Sequence, residues 1–217
     1  MSPSPALTVY LVRSARTAWQ EQGRVQGNTN LPASPTGLAE AVDAATAWNP
    51  PVMPTSFYCG VDEASQQTTA LFAARSDGGK TRELDDLAEA NLGLWQGLTE
   101  DQLADRYPKV FSQWKNDPGA ITPPQGEPLE SIQGRLTSAL GRLLKRDGPE
   151  PLALVLRPVL LAACHRWLAE EPLDWKTLHR SPPPFVQRFD LDGEKLRTVR
   201  AARRKKIGRP VMRSASA

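Results

Sequence analysis

Two short runs of almost entirely apolar residues, Leu7–Val12 (LTVYLV) and Leu152–Leu156 (LALVL), constrain this chain more than any other feature. A strand with one face in water alternates polar and apolar side chains. A run that is apolar on both faces belongs to a strand covered on both sides. Helical patterns lie between and around these runs. Ser34-Pro35-Thr36-Gly37 followed by LAEAVDAATAW predicts a helix capped by Ser34, with Pro35 in its first turn and Leu38, Val42 and Ala45 recurring at helical spacing. Ala64–Ala74, Thr99–Tyr107, Glu130–Arg146 and Val159–Leu168 are also predicted as helices, Phe57–Cys59 as a strand and Arg82–Leu87 as extended. Ser14–Pro35, rich in Gly, Asn and Pro, is predicted as a long loop with a few helical turns. Phe185–Asp190 and Lys195–Val199, joined at Asp192-Gly193, predict a hairpin. Strands alternating with helices imply a mostly parallel sheet with helices on both faces, a three-layer α/β/α sandwich.

The 217 residues, 40% of them apolar, can bury such a core without covalent staples. Cys59 and Cys164 are too few to suggest a disulfide framework. The histidines and cysteines are not spaced as a metal site, and neither metal nor cofactor is expected. The apolar stretch around Pro151–Cys164 is interrupted by Arg157 and Pro158, short of the roughly 20 residues that span a bilayer. The opening MSPSPALTVYLVR lacks the basic segment and long apolar run of a signal peptide, so the expected location is the cytoplasm. From Glu194 onward nine Lys and Arg face a single acid, so the net charge of +3 divides into an acidic body and a strongly basic end. The expected organisation is one domain over residues 1–199 and a basic tail over 200–217. Such a tail suits nucleic acid, acidic lipid or an acidic protein partner, although no aromatic interleaving accompanies it, and a solvated terminus is the plainer expectation.

The motif content is concentrated at the start. In LVRSARTAWQEQGRVQGNTNLPASPTGLAEA, the residues Arg13, Thr17, Trp19, Gly23-Arg24, Gln26-Gly27, Leu31-Pro32, Ser34 and Gly37 fall in an order that resembles the opening of the histidine phosphatase (phosphoglycerate-mutase-like) superfamily. There a strand ends in Leu-Val-Arg-His-Gly-Glu-Thr, and Arg-x-Gln-Gly and Leu-Pro-Leu-Ser-x-x-Gly follow. Downstream, Glu89, Gly93, Trp95 and Gly97 resemble the family's Glu-x-x-x-Gly-x-Trp-x-Gly segment, and Gly126-Glu127 with Arg135 resembles its Gly-Gly-Glu-Ser and following arginine. The resemblance runs from Thr8 to Val199.

The resemblance implies phosphoryl transfer through a nucleophilic histidine, with two arginines and a second histidine neutralising phosphate and an acid protonating the leaving oxygen. The nucleophile position is Ser14, and the Gly-Glu after it has become Ala15-Arg16. The second pocket arginine is replaced by Ala64, and the second histidine, from a Val-Ser-His-Gly motif, by Arg157. Arg13 and the acid Glu89 remain. Of the two histidines, His165 lies two turns into the predicted helix after Arg157 and His179 in a Ser/Pro-rich approach to the last hairpin, and each is expected to be structural or solvated. The spacings of a cysteine phosphatase and of a Gly-x-Ser-x-Gly elbow are absent. The expectation is therefore a degenerate member that binds without turnover. Arg13, Arg16, Arg24, Gln26, Gly27, Glu89 and Arg157 are the candidate ligand contacts for a phosphorylated or carboxylate small molecule, and a protein partner is a further candidate. A weak or altered phosphatase, and a nucleic-acid-associated protein acting through its tail, are the alternatives.

Overall fold

A computed structural model describes residues 7–146, 150–169, 184–194 and 196–197; the basic tail, Trp175 and His179 lie outside them. At the centre of a five-stranded sheet, β1 (Leu7–Arg13) lies parallel to β4 (Leu152–Leu156), with Val9 opposite Leu152 and Arg13 opposite Leu156. The two runs apolar at nearly every position are thus neighbours in the most enclosed part of the fold. Beyond β4 come β2 (Ser56–Cys59) and then β3 (Lys80–Glu83), both parallel. On the other side, β5 (Val186–Leu191) runs antiparallel along β1, giving the order β3-β2-β4-β1-β5.

Alternate residues of the central strands feed two cores. Leu7, Val9, Leu11, Leu152, Leu154 and Leu156 pack with leucines of α6 (Leu129–Arg146) and α7 (Pro158–Ala169). Tyr10, Val12, Phe57, Ala153 and Val155 pack on the opposite face with Ala45 of α2 (Pro35–Ala47), Trp48 after it, and Phe72 of α3 (Glu63–Ala73). This is the expected sandwich. A third, separate core of Trp95, Leu103 and Phe111 is built by α4 (Glu100–Arg106), α5 (Pro108–Asn116) and the loop before them. A four-residue helix, α1 (Ala18–Glu21), lies in the long loop after β1. Among the described residues no helix is long and apolar enough to cross a membrane.

Three sequence expectations are corrected. The buried face of α2 is Gly37, Ala41 and Ala45, whereas Leu38 and Val42 are 37% and 41% exposed. The reason is a close approach: a Cβ on Gly37 would come within 2.3 Å of the Arg16 carbonyl oxygen, so only the smallest residues fit that side. The expected hairpin after β5 is not formed over the described residues. Residues 193–194 and 196–197 are helical, with the Leu196 N–H donating to the Asp192 carbonyl at 2.9 Å, while 198–199 lie outside the described residues. Arg82–Leu87, expected to be extended throughout, is extended only to Glu83 and continues as a 3-10 turn over Asp85–Leu87.

Candidate functional site

In an open α/β sheet the strands' carboxyl ends form the natural crevice for ligands. Here β1 ends at Arg13-Ser14, β4 at Leu156-Arg157, and β2 at Cys59, before the turn that starts α3. The Ser14 N–H donates to the Leu156 carbonyl at 2.9 Å, which fixes Ser14 beside Arg157. Ser14 is 5% exposed, and its hydroxyl donates to the carbonyl of Ala15 at 3.4 Å. The Ala15 N–H donates to Thr68 Oγ1 at 2.9 Å, and that hydroxyl donates to the Ala64 carbonyl at 2.7 Å; Ala64 is fully buried. His165 is not at the site. It lies midway along α7, its Nδ1 against the Gln187 side-chain oxygen and its ring edge-on to Phe189.

Arg157 is 2% exposed, and its Nη1 lies 3.4 Å from Asp62 Oδ1. Asp62 is held by its own local role: the same oxygen caps α3, accepting from the Ser65 N–H at 3.0 Å. Glu89 completes this cluster. Its Oε1 accepts from the Ala90 N–H at 2.7 Å and its Oε2 from the Val159 N–H at 2.9 Å, at the start of α7. Burial pushes the Glu89 carboxyl above the usual range; Arg157 and the two N–H donors pull it down, and Asp62 pushes it up again. Arg135 sets the backbone that carries Glu89. It donates to the carbonyls of Asp86 at 3.0 Å and Glu89 at 3.2 Å, and Glu127 grips its guanidinium at 2.9 and 3.1 Å.

The other candidate residues divide between two places. Arg13 and Arg16 share one carboxylate, Glu40 of α2, with Arg13 Nη2 at 3.7 Å and Arg16 closer. The Arg13 guanidinium also sits 4.6 Å above the Phe185 ring; burial lowers its pKa from the usual value, with Glu40 opposing the shift. Arg24, Gln26 and Gly27 shape the loop after α1. Arg24 Nη1 donates to the Gly97 carbonyl at 2.7 Å. The Gln26 side chain accepts from the Thr17 hydroxyl and donates to the Thr29 carbonyl at 3.0 Å. Gly27 has φ +56°, and a Cβ there would collide with the Gln96 side chain. These three residues and Glu89 line a cleft of about 210 Å³ whose walls include Trp95, Phe111 and Trp114. Arg13, Ser14, Arg16, Ala64 and Arg157 are not on its walls.

The structure therefore brings Arg157 and Glu89 together, and separately Arg24, Gln26, Gly27 and Glu89; Arg13 and Arg16 meet at Glu40. Sequence reasoning missed Asp62, Glu40 and the aromatic wall. Asp62 had a local signal, as an Asp one residue before a helix, but nothing in sequence joins it to Arg157, 95 positions away. Val110, Phe111 and Trp114, behind the helix-starting Pro108, carried the signal for α5.

Comparison with known proteins agrees with this architecture. Two relatives are the metal-independent phosphoserine phosphatase of Arabidopsis thaliana, 25% identical over 179 residues (82% of this chain, 75% of the relative), and phosphoserine phosphatase 1 of Hydrogenobacter thermophilus, 24% identical over 157 residues (72% and 74%). The solved structure of Bacillus stearothermophilus YhfR superposes with a TM-score of 0.76 at 24% identity, covering 87% of this chain and 93% of that one. The family model of the histidine phosphatase superfamily (branch 1) matches residues 9–203, and the chain belongs to that superfamily.

Proposed function

We propose that this chain is a member of the superfamily that binds without transferring phosphate. One observation carries the reading: the residue that emerges from β1 beside β4 is Ser14, a buried hydroxyl with no imidazole near it among the described residues. A serine hydroxyl needs a base to become a nucleophile. The ionisable groups of the neighbouring cluster are already engaged, Arg157 with Asp62 and Glu89 with two backbone N–H groups. Phosphate entering beside Arg157 would meet one guanidinium facing a carboxylate, not a cluster of unpaired cations. Removing the nucleophile of a catalytic unit by itself commonly costs about six orders of magnitude in rate.

A second reading is favoured by the relatives named as phosphoserine phosphatases: hydrolysis of a phosphomonoester with Glu89 as the acid. Its raised pKa suits a proton donor. Purified protein assayed for phosphate release from p-nitrophenyl phosphate and phosphoserine decides between the two. The expected result is release at the level of the protein-free blank. Turnover by the wild type that disappears in Glu89→Ala would establish the second reading instead.

A further inference from the structure

An outermost strand presents a row of main-chain donors and acceptors, and the side chains beside them decide what can pair with it. This sheet ends in β3 on one side and in β5 on the other. In β5 the Phe185 carbonyl accepts from the Arg13 N–H at 2.8 Å, and the antiparallel register sets Gln187 opposite Leu11 and Phe189 opposite Val9. Main-chain groups alternate between the two sides of a strand. Phe185, Gln187, Phe189 and Leu191 therefore address β1, while Val186, Arg188 and Asp190 address the outer edge. Among the described residues no strand pairs with that edge, because the chain after Leu191 becomes helical instead of returning beside β5.

The two edges differ in how their charges meet a second copy of themselves. In β3 the Lys80 and Leu84 N–H groups donate towards β2, to the carbonyls of Thr55 and Cys59, so Thr81 and Glu83 address the outside. A two-fold antiparallel pairing must set outward-addressing residues opposite one another, so it centres on a residue. Centred on Lys80, Arg82 or Glu83, such a pair sets that charge against itself; centred on Thr81, it sets Lys80 against Arg82. Like charges directly opposite destabilise a strand pair, so β3 excludes its own copy. In β5, Arg188 and Asp190 project from one face with side chains 42% and 45% exposed, Nε lying 3.0 Å from Oδ1. Centring on Phe189 sets Arg188 of each copy against Asp190 of the other, so four charges alternate in sign. On the opposite face Phe189, partly buried and met edge-on by His165, comes against Phe189 of the other copy. Cross-strand ion pairs and aromatic pairs both favour that alignment. We propose that β5 is a self-association edge, pairing antiparallel about Phe189 with β5 of a second copy of this chain and joining the two sheets into one. The contact is small beside the roughly 1,600 Å² of a standard interface, so the dimer is weak and reversible.

Sedimentation velocity of the whole chain, over concentrations from about 1 μM to about 500 μM, tests this. The expected result is a reversible monomer–dimer equilibrium within that range. Arg188→Asp leaves two acids facing two acids, and Asp190→Arg leaves two bases facing two bases. Each variant, confirmed folded by circular dichroism, should raise the dissociation constant at least about tenfold. Mixed in equal amounts, the two single variants should associate again, because every charge then faces its opposite across the strand pair. The double variant Arg188→Asp/Asp190→Arg should pair with itself for the same reason. Lys80→Glu, on the far edge of the sheet, should leave the equilibrium unchanged. A wild type that stays monomeric throughout, an Arg188→Asp variant that dimerises as tightly as wild type, or a mixture no tighter than its separate components overturns the proposal.

Discussion

The buried ion cluster makes a quantitative prediction about Arg157→Met. The side chains of Arg157 and Asp62 are 3% and 8% exposed, so solvent screens their interaction little. Methionine replaces the stem of arginine and removes only the head. Asp62 then keeps its charge in the interior with the Ser65 N–H as its remaining donor, and Glu89 loses the one group whose charge favours its ionised form. Breaking a buried pair from one side costs about 3–5 kcal/mol. At roughly 2–4 °C per kcal/mol for a chain of this size, the melting temperature should fall by about 6–20 °C. The deficit should also depend on pH in a fixed direction. Without Arg157 the folded-state pKa of Glu89 rises further above its unfolded value, so stability is lost as pH rises through that window and recovered as protonation discharges the carboxyl. Urea unfolding at several pH values should therefore give a deficit largest near neutrality and smaller towards about pH 5. Adding Asp62→Asn should restore part of the loss, because asparagine still caps α3 while removing the uncompensated charge. A loss below about 1 kcal/mol, or a deficit independent of pH, would refute the claim that Arg157 is committed to these carboxyls.

Three further outcomes follow from individual contacts. Glu89→Gln places an amide NH₂ against the N–H of Ala90 or Val159, which should cost about 1–3 kcal/mol near pH 5; because ionising a carboxyl of raised pKa costs the wild type stability as pH rises, the deficit should shrink towards pH 8, and denaturant titrations in which it grows would contradict that assignment. On α2, Gly37→Ala should lower stability by about 2 kcal/mol or more in thermal melts, while Val42→Lys on the opposite, exposed face should stay within about 0.5 kcal/mol. Cys59 and Cys164 are buried, and burial pushes the Cys59 thiol up to about 11 and Cys164 higher still, so neither should react with a thiol reagent at pH 8 until denaturant is added, when both should.

The layers of the fold were legible because burial on both faces leaves a direct imprint. Leu7–Val12 and Leu152–Leu156 have no polar face to show, and only the centre of a covered sheet accepts that. The docking of α2 was not legible, because hydrophobic size pointed to Leu38 and Val42 while the distance to Arg16's backbone selects glycine at position 37. That distance is a tertiary fact with no local trace. The turn signal at Asp192-Gly193 was real, but the chain after β5 closes a helical hydrogen bond instead of a returning ladder. At the site, the positions of Ser14 and Arg157 followed from where strands end, since each strand delivers the residue after it to the same crevice. What surrounds those positions did not follow. Of the four arginines among the candidate contacts, Glu40 takes Arg13 and Arg16, and Asp62 takes Arg157. A carboxylate's partner is set by the fold, and charge counted along a sequence does not reveal it.

On the proposed reading, Ser14 is only part of why this site transfers no phosphate, because the partnering of Arg157 contributes as well. Ser14→His would put an imidazole beside β4, but the group next to it would still be an arginine facing Asp62, and position 64 would still be alanine. Ala64 is fully buried under the Ala15–Thr68–Ala64 hydrogen-bond chain, so an arginine introduced there would overpack the start of α3 by several methylenes and bury a further charge. A phosphorylated imidazole carries two negative charges that need preorganised donors and cations around them, and stabilisation of this kind is usually the largest single contribution to such a rate. Ser14→His, confirmed folded by circular dichroism, should thus release phosphate from p-nitrophenyl phosphate no faster than wild type. A variant that acquires turnover from this one change would mean that Arg157 can leave Asp62 for the substrate, and that the ion pair is a resting arrangement instead of a fixed one.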